Sequence, residues 1–304
     1  MFKSSKKAFT MIELVFVIVV LGIIGKFGIE FLAQAYQTFI YSKTNSYLHS
    51  TSNTALEIIS QRLQYRIKDS VIARESDGSF SGIAGYSAAT APILEWIGAD
   101  IDGFRGDINP FWSGIINLEE SNVTALVSPE TNTSAVNSLI DKLSDSNSDI
   151  DDAAIYFIGS DSDIQTGYGW NGTAITSQQN VAMHPINSGG SNTFTPKTST
   201  GTFSNVEISE YYKLAWTAYA VGFESGDYNT TDMDGTLYLW YDYQPWNGEN
   251  RNSTGAKKVI LAKNVSTFQF VAVGSLIKIQ ICTNSDLLKN EGKEYSVCKE
   301  KTIY

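Results

Sequence analysis

Glu13 is the residue whose chemistry most needs a partner. It lies inside the run Phe-Thr-Met-Ile-Glu-Leu-Val-Phe-Val-Ile-Val-Val-Leu-Gly-Ile-Ile-Gly at residues 9–25. A helix of that length rises about 25 Å, a little short of the ~30 Å hydrocarbon core of a bilayer. A carboxylate in such a run costs at least ~2.5–3.5 kcal/mol, so it is expected to meet a cation. Lys3, Lys6 and Lys7 precede the run and no acid does, which predicts a cytoplasmic N-terminus and export of the chain beyond the run. A conventional secretory signal explains this less well. Its small-x-small site would be Ala33-Gln34-Ala35, which lies past Lys26 and Glu30, well beyond the apolar run. A plain membrane anchor leaves Glu13 unexplained.

The other reactive side chains form weaker patterns. Cys282 and Cys298 are the only cysteines, and His49 and His184 the only histidines. With no CxxC pair and no histidine near either cysteine, a disulfide is a better reading than zinc. It would contribute roughly 3 kcal/mol on the chain-entropy view and implies an oxidising compartment. Residues 145–152 (Asp-Ser-Asn-Ser-Asp-Ile-Asp-Asp) and 232–235 (Asp-Met-Asp-Gly) are rich in oxygens, yet neither completes a calcium loop. Solvated turns are the expectation there, with calcium as the minor alternative and no other cofactor. Residues 167–172 match GxGxxG, but no apolar helical stripe comes after them, so a turn-rich loop is expected. Asn122, Asn132 and Asn229 each have Ser or Thr two residues on and an acid two residues before. That spacing resembles a bacterial N-glycosylation acceptor, or arises by chance in an Asn- and Thr-rich chain. There is no GxSxG, HExxH or P-loop, so no enzyme activity is expected.

Residues 6–15, Lys-Lys-Ala-Phe-Thr-Met-Ile-Glu-Leu-Val, resemble the prepilin leader and cleavage motif shared by type IV pilins and type II secretion pseudopilins. The resemblance implies cleavage between Ala8 and Phe9 by a prepilin peptidase, with N-methylation of Phe9. It gives Glu13 the role of meeting the N-terminal amine of a neighbouring subunit. A buried carboxylate and a buried ammonium are each costly alone and tolerable when paired. The family usually carries glycine where Ala8 stands, and alanine is the mildest replacement. The resemblance also implies the partners: other pilin or pseudopilin subunits and an inner-membrane assembly platform. It places the chain first in the bacterial inner membrane with its head periplasmic, and then in a pilus or pseudopilus. Residues 259–270, Val-Ile-Leu-Ala-Lys-Asn-Val-Ser-Thr-Phe-Gln-Phe, are similar to a stretch of larger minor pilins and J-type minor pseudopilins, where it links two late strands. With the length of 304 residues, this favours a minor subunit near a filament tip that primes assembly. A head that recognises a surface or a secreted substrate is the alternative.

These residues need elements to hold them. No proline occurs before Pro92, and Leu56, Ile59, Leu63, Ile67 and Val71 keep to helical spacing. One helix is therefore expected from about residue 9 to about residue 74: assembly segment 9–31, then stalk 32–74, after a leader at 1–8. Gly22, Gly25 and Gly28 weaken it locally or permit close packing. Beyond, residues 75–304 read as a β-rich head. Strands are expected at 93–97, 153–158, 214–223, 236–243, 259–263, 267–273, 276–282 and 297–303. Residues 98–150 and 160–210 read as long irregular insertions. The class is α+β: a pilin-like, membrane-embedded N-terminal helix packed on an antiparallel sheet with large loop insertions. Charged residues make up only 18% of the chain, and the net charge of −10 disfavours direct nucleic-acid binding.

Overall fold

The computed structural model describes residues 9–84, 86, 93–231, 233–285 and 295–304. It is α+β. Helix α1 runs unbroken over Met11–Leu63, about 80 Å at 1.5 Å per residue. Among the described residues nothing approaches within 4 Å of a Cβ added at Gly22, Gly25 or Gly28, and the helix runs through all three.

The helix has two halves of different character. Apart from Val20, every residue from Phe9 to Phe39 is exposed. From Thr44 onward one face is buried: Thr44, Leu48, Ser52, Ala55, Leu56, Ile59, Ser60 and Leu63, at the three- and four-residue spacing that keeps side chains in line. Each buried Leu or Ile contributes about 1.5–3 kcal/mol. Polar ties fix the axial position. Ser52 Oγ meets Thr283 Oγ1 at 2.9 Å, Lys301 Nζ reaches Glu57 Oε2 at 2.7 Å, and Tyr295 donates to Asn45 Oδ1 at 2.8 Å.

The helix ends eleven residues before the expected 74, because the sheet takes the next backbone groups. Ile67 N–H donates to Ile97 O, and Ala99 N–H to Tyr65 O. Buried Arg66 donates to Leu63 O, Ser275 O and Tyr304 O at 2.8–3.1 Å, which satisfies a carbonyl of the last turn. Ile67 and Val71 are buried as the helical stripe suggested, but in a turn and beside a strand.

Strands β1 (Ile72–Arg74), β2 (Phe80–Gly82) and β3 (Ile93–Gly98) come next. Then come the short helix α2 (Ile101–Arg105), β4 (Asn117–Asn122), β5 (Ala125–Val127) and helix α3 (Thr133–Leu143). After them lie β6 (Ala154–Phe157), β7 (Met183–Gly190), β8 (Thr193–Pro196), β9 (Tyr212–Ala215) and β10 (Thr217–Phe223). The chain finishes with β11 (Gly235–Tyr241), β12 (Lys257–Val273), β13 (Leu276–Asn284) and β14 (Ser296–Ile303). They form two sheets: eight strands in the order β14-β13-β12-β11-β10-β3-β1-β2, and six in the order β4-β5-β8-β7-β6-β9. All pairings are antiparallel.

Three expectations are corrected by this topology. Segments 98–150 and 160–210 are not irregular insertions: they carry α2, α3 and four strands of the second sheet, with their own core around Leu126, Val136, Ile140, Phe194 and Phe203. Segment 214–223 is two strands rather than one. The chain turns at buried Trp216, leaving β9 in the six-stranded sheet and starting β10 in the eight-stranded one. Conversely, 259–263 and 267–273 are one strand. Asn264 has φ 55° and the register slips between Val265 and Thr267, a bulge that bends β12 instead of ending it. The bend lets its first half pair with β11 and its second with β13.

Period-two alternation then sorts the eight-stranded sheet. Leu94, Trp96, Val221, Ile279 and Ile281 face α1, whereas Ile93, Ile97, Ala218 and Trp240 face the second sheet and its loops.

Candidate functional site

The first candidate is the exposed end of α1. Thr10 is its N-cap. Thr10 Oγ1 accepts from Glu13 N–H at 3.4 Å, while Glu13 Oε2 accepts from Thr10 N–H at 3.2 Å and Thr10 Oγ1–H at 3.1 Å. This is a capping box, in which two helix-end donors are satisfied reciprocally. Glu13 also stands where the helix dipole favours negative charge. The Thr-x-x-Glu spacing ahead of an apolar run carries this signal, and the charge argument alone overlooks it. Phe9 is exposed one residue before the cap; Ala8 lies outside the described residues, so the expected cleavage junction is described on one side only. α1 is the one helix among the described residues long and apolar enough to cross a membrane, and none of that stretch is buried. A single-pass membrane protein presents this form.

The second is the cystine. Cys282 and Cys298 are bonded, directly opposite each other on β13 and β14, with Cα atoms 4.0 Å apart. Alternation puts them on the face away from α1, since Ile279 and Ile281 face it. The bridge holds β14, whose Lys301 reaches Glu57 of α1.

The remaining sequence-predicted residues do not converge. His49 sits on α1 and His184 in β7. Among the described residues no group of three or more His, Cys, Asp or Glu side chains is placed to hold a metal; Asp232 lies outside them. Asp149 and Asp152 form a capping box on a 3-10 turn, and Asp151 accepts from Ser188 N–H at 2.8 Å. The GxGxxG segment is turns: Gly169, at φ +82°, packs against the Pro245 backbone where a Cβ would collide. Asn122 Oδ1 accepts from Thr124 N–H, Asn229 Oδ1 from Thr231 N–H, and Asn132 caps α3. All three are exposed. Their Asn-x-Ser/Thr spacing thus coincides with local turn and cap chemistry.

His184 is buried between Phe157 and Phe203. Gln178 Nε2 donates to Pro185 O and Thr200 Oγ1, so its Oε1 faces His184 and accepts from Nδ1–H at 3.0 Å. Burial pushes the imidazole down to about 4. Asp100, also buried, moves the other way: desolvation pushes it up to about 6, although Gly103 N–H and Trp112 Nε1–H donate to it. The two act with opposite signs. A lowered histidine gives stability that is lost as pH falls from 6.5 towards 4; a raised aspartate gives stability that is lost as pH rises from about 4 to 6. A His184→Asn variant keeps a donor for Gln178 but cannot titrate. Its stability deficit relative to wild type should therefore shrink by up to roughly 3 kcal/mol between pH 7 and pH 4. Urea unfolding of both proteins at the two pH values measures it; an unchanged deficit would show that His184 ionises freely in the fold.

Two adjoining hollows of about 420 and 410 Å³ lie where α1 ends, sharing Gln64, Tyr65, Ala99 and Ile101. Comparisons with protein families, curated proteins and solved structures found no match for this chain.

Proposed function

We infer that this chain is a type IV pilin-like subunit, made as a precursor, cut between Ala8 and Phe9 by a prepilin peptidase, and assembled into a pilus or type II secretion pseudopilus. The observation that carries this reading is the division of α1. Its first half presents apolar side chains on every side and a carboxylate in the first turn, while its second half is fastened to a β-rich head. An apolar rod of this kind is stable in lipid or packed among similar rods. Within such packing a carboxylate at the rod's end needs a cation, and the N-terminal amine of an adjacent Phe9 supplies one at a fixed axial offset. The bulky two-sheet head suits a minor subunit near the tip, which primes assembly, better than a closely repeated shaft. The second reading, a pilus-delivered binding module, draws on the groove at the end of α1.

The capping box makes the pairing role testable. Gln can serve at the third position of a capping box as Glu does, so Glu13→Gln retains the cap and removes only the charge. Mass spectrometry of the mature chain is expected to give an N-methylated Phe9 terminus in wild type and variant alike. Incorporation into sheared filaments is expected to drop at least tenfold in Glu13→Gln. Normal incorporation would reduce Glu13 to a cap, and a chain retaining residues 1–8 would defeat the reading altogether.

A further inference from the structure

The hollows at the end of α1 adjoin as one trough, with walls from residues 61–65, 98–105, 112–115, 158, 211–213 and 219. Phe104, Trp112, Ile115, Ile158, Tyr211 and Tyr65 line the apolar part. Phe104 packs at a tilt against Trp112 with ring centres 4.9 Å apart, and Ile115 and Tyr211 face each other across a β-bridge. Four of these side chains, Phe104, Ile115, Ile158 and Tyr211, are 42–56% exposed. Exposed apolar groups gathered in one place, unlike scattered ones, are a feature of contact surfaces.

The charges around it are unbalanced. Asp102 faces Arg62 at 3.9 Å, and both oxygens of Asp100 accept from Gly103 and Trp112. The anions are therefore engaged. Among the described residues no carboxylate lies within ion-pair distance of Lys213, which is half-buried and lines the trough. Its ammonium is disfavoured first by burial and then by Lys68 and Arg66. Arg105, at the other end, stacks over the Tyr65 ring at 5.7 Å and donates to its hydroxyl at 3.1 Å; Asp102, which lines the same hollow, pairs with Arg62 instead. In a chain of net charge −10, a trough lined by Arg62, Arg105 and Lys213 against Asp100 and Asp102 carries a local positive excess that favours an apolar anion.

We propose that this trough binds a peptide segment of a partner protein in which apolar or aromatic residues flank an Asp or Glu whose carboxylate meets Lys213. A trough with a half-exposed rim suits a chain laid across it, whereas small ligands are usually enclosed over most of their surface. The bilayer is out of reach: Leu63 lies about 45 Å along α1 from Gln34, past the apolar stretch. The proposal is independent of whether the chain enters a filament.

The full chain in uncharged phosphatidylcholine nanodiscs is panned against a phage-displayed library of random heptapeptides, with empty nanodiscs as control. Enriched sequences are expected to carry one acid between apolar residues. Synthesised with a fluorophore, they should bind at least tenfold more weakly when the acid becomes its amide. They should also lose at least tenfold in affinity for Lys213→Gln and for Ile158→Asp. Neither substitution touches a packed core, so the melting temperature should stay within about 2 °C of wild type, which separates lost binding from lost fold. Three results would overturn the proposal: no enrichment over empty discs, enrichment of peptides without an acid, or affinity indifferent to both variants.

Discussion

Replacing Glu95 by Gln should lower the melting temperature of the head by on the order of 10 °C. Glu95 is 1% exposed on β3 and faces the space between the two sheets. Its Oε1 accepts from Arg74 Nε at 2.9 Å and from Arg251 Nη1 at 3.0 Å, and Tyr243 donates to Oε2 at 3.5 Å. Arg74 goes on to Trp170 O and Gly78 O, so the carboxylate organises a junction between the first sheet and the 161–178 loop. Both arginines are largely buried, with side chains 11% and 17% exposed. Removing the one negative charge strands two positive ones. Breaking a buried pair from one side costs about 3–5 kcal/mol, and each kcal/mol shifts the midpoint of a domain this large by roughly 2–4 °C. Differential scanning calorimetry reads the change. The triple variant Arg74→Met, Glu95→Leu, Arg251→Met is expected to recover most of it, because apolar replacement of a whole buried ion cluster is often close to neutral. A Glu95→Gln midpoint within 2 °C of wild type would mean that water already solvates the junction.

Glu95 also shows where sequence reading stops. The strand at 93–97 is legible, because Ile-Leu-Glu-Trp-Ile is apolar and β-forming, but a glutamate in it gives no hint of two arginines 21 and 156 residues away. The α+β class, the long N-terminal helix and the Cys282–Cys298 bridge are readable for local reasons: continuous hydrophobicity, a three-and-four stripe, and two cysteines with no competing ligand nearby. The helix end is not, because Ile67 and Val71 continue the stripe while being buried in other conformations. The second sheet escapes notice since its strands are short, and segments such as β4 (Asn-Leu-Glu-Glu-Ser-Asn) are polar edge strands with little alternation to detect. The capping box is in plain view as Thr-x-x-Glu. The trough is not, since Tyr65, Phe104, Ile158 and Lys213 become neighbours only through the crossing of β9 into the second sheet.

Ile59→Asp should part the two halves of the molecule. Ile59 has no exposed surface and packs in the cluster of Leu56, Leu63, Phe268, Ile279 and Ile281. Truncation to Ala would cost about 2–5 kcal/mol through lost burial and the cavity left behind. Asp adds an unpaired charge to that cavity, which the fold escapes most readily by lifting the helix off the sheet. The ties at Ser52–Thr283 and Glu57–Lys301 both lie within two turns N-terminal to Ile59, so they should open with it. Amide hydrogen exchange in residues 44–63 is expected to be slow in the wild-type chain and to accelerate at least a hundredfold in the variant. Limited proteolysis should then cut between the helix and β1. Gly25→Ala is the matched control: an added Cβ there meets nothing, and Ala strengthens a helix by roughly 1 kcal/mol, so exchange in 44–63 should not change. If Ile59→Asp left that protection intact, the helix would be held by its polar ties and not by the apolar seam. The coupling between an apolar rod and its head, on which the proposed assembly relies, would then need a different physical basis.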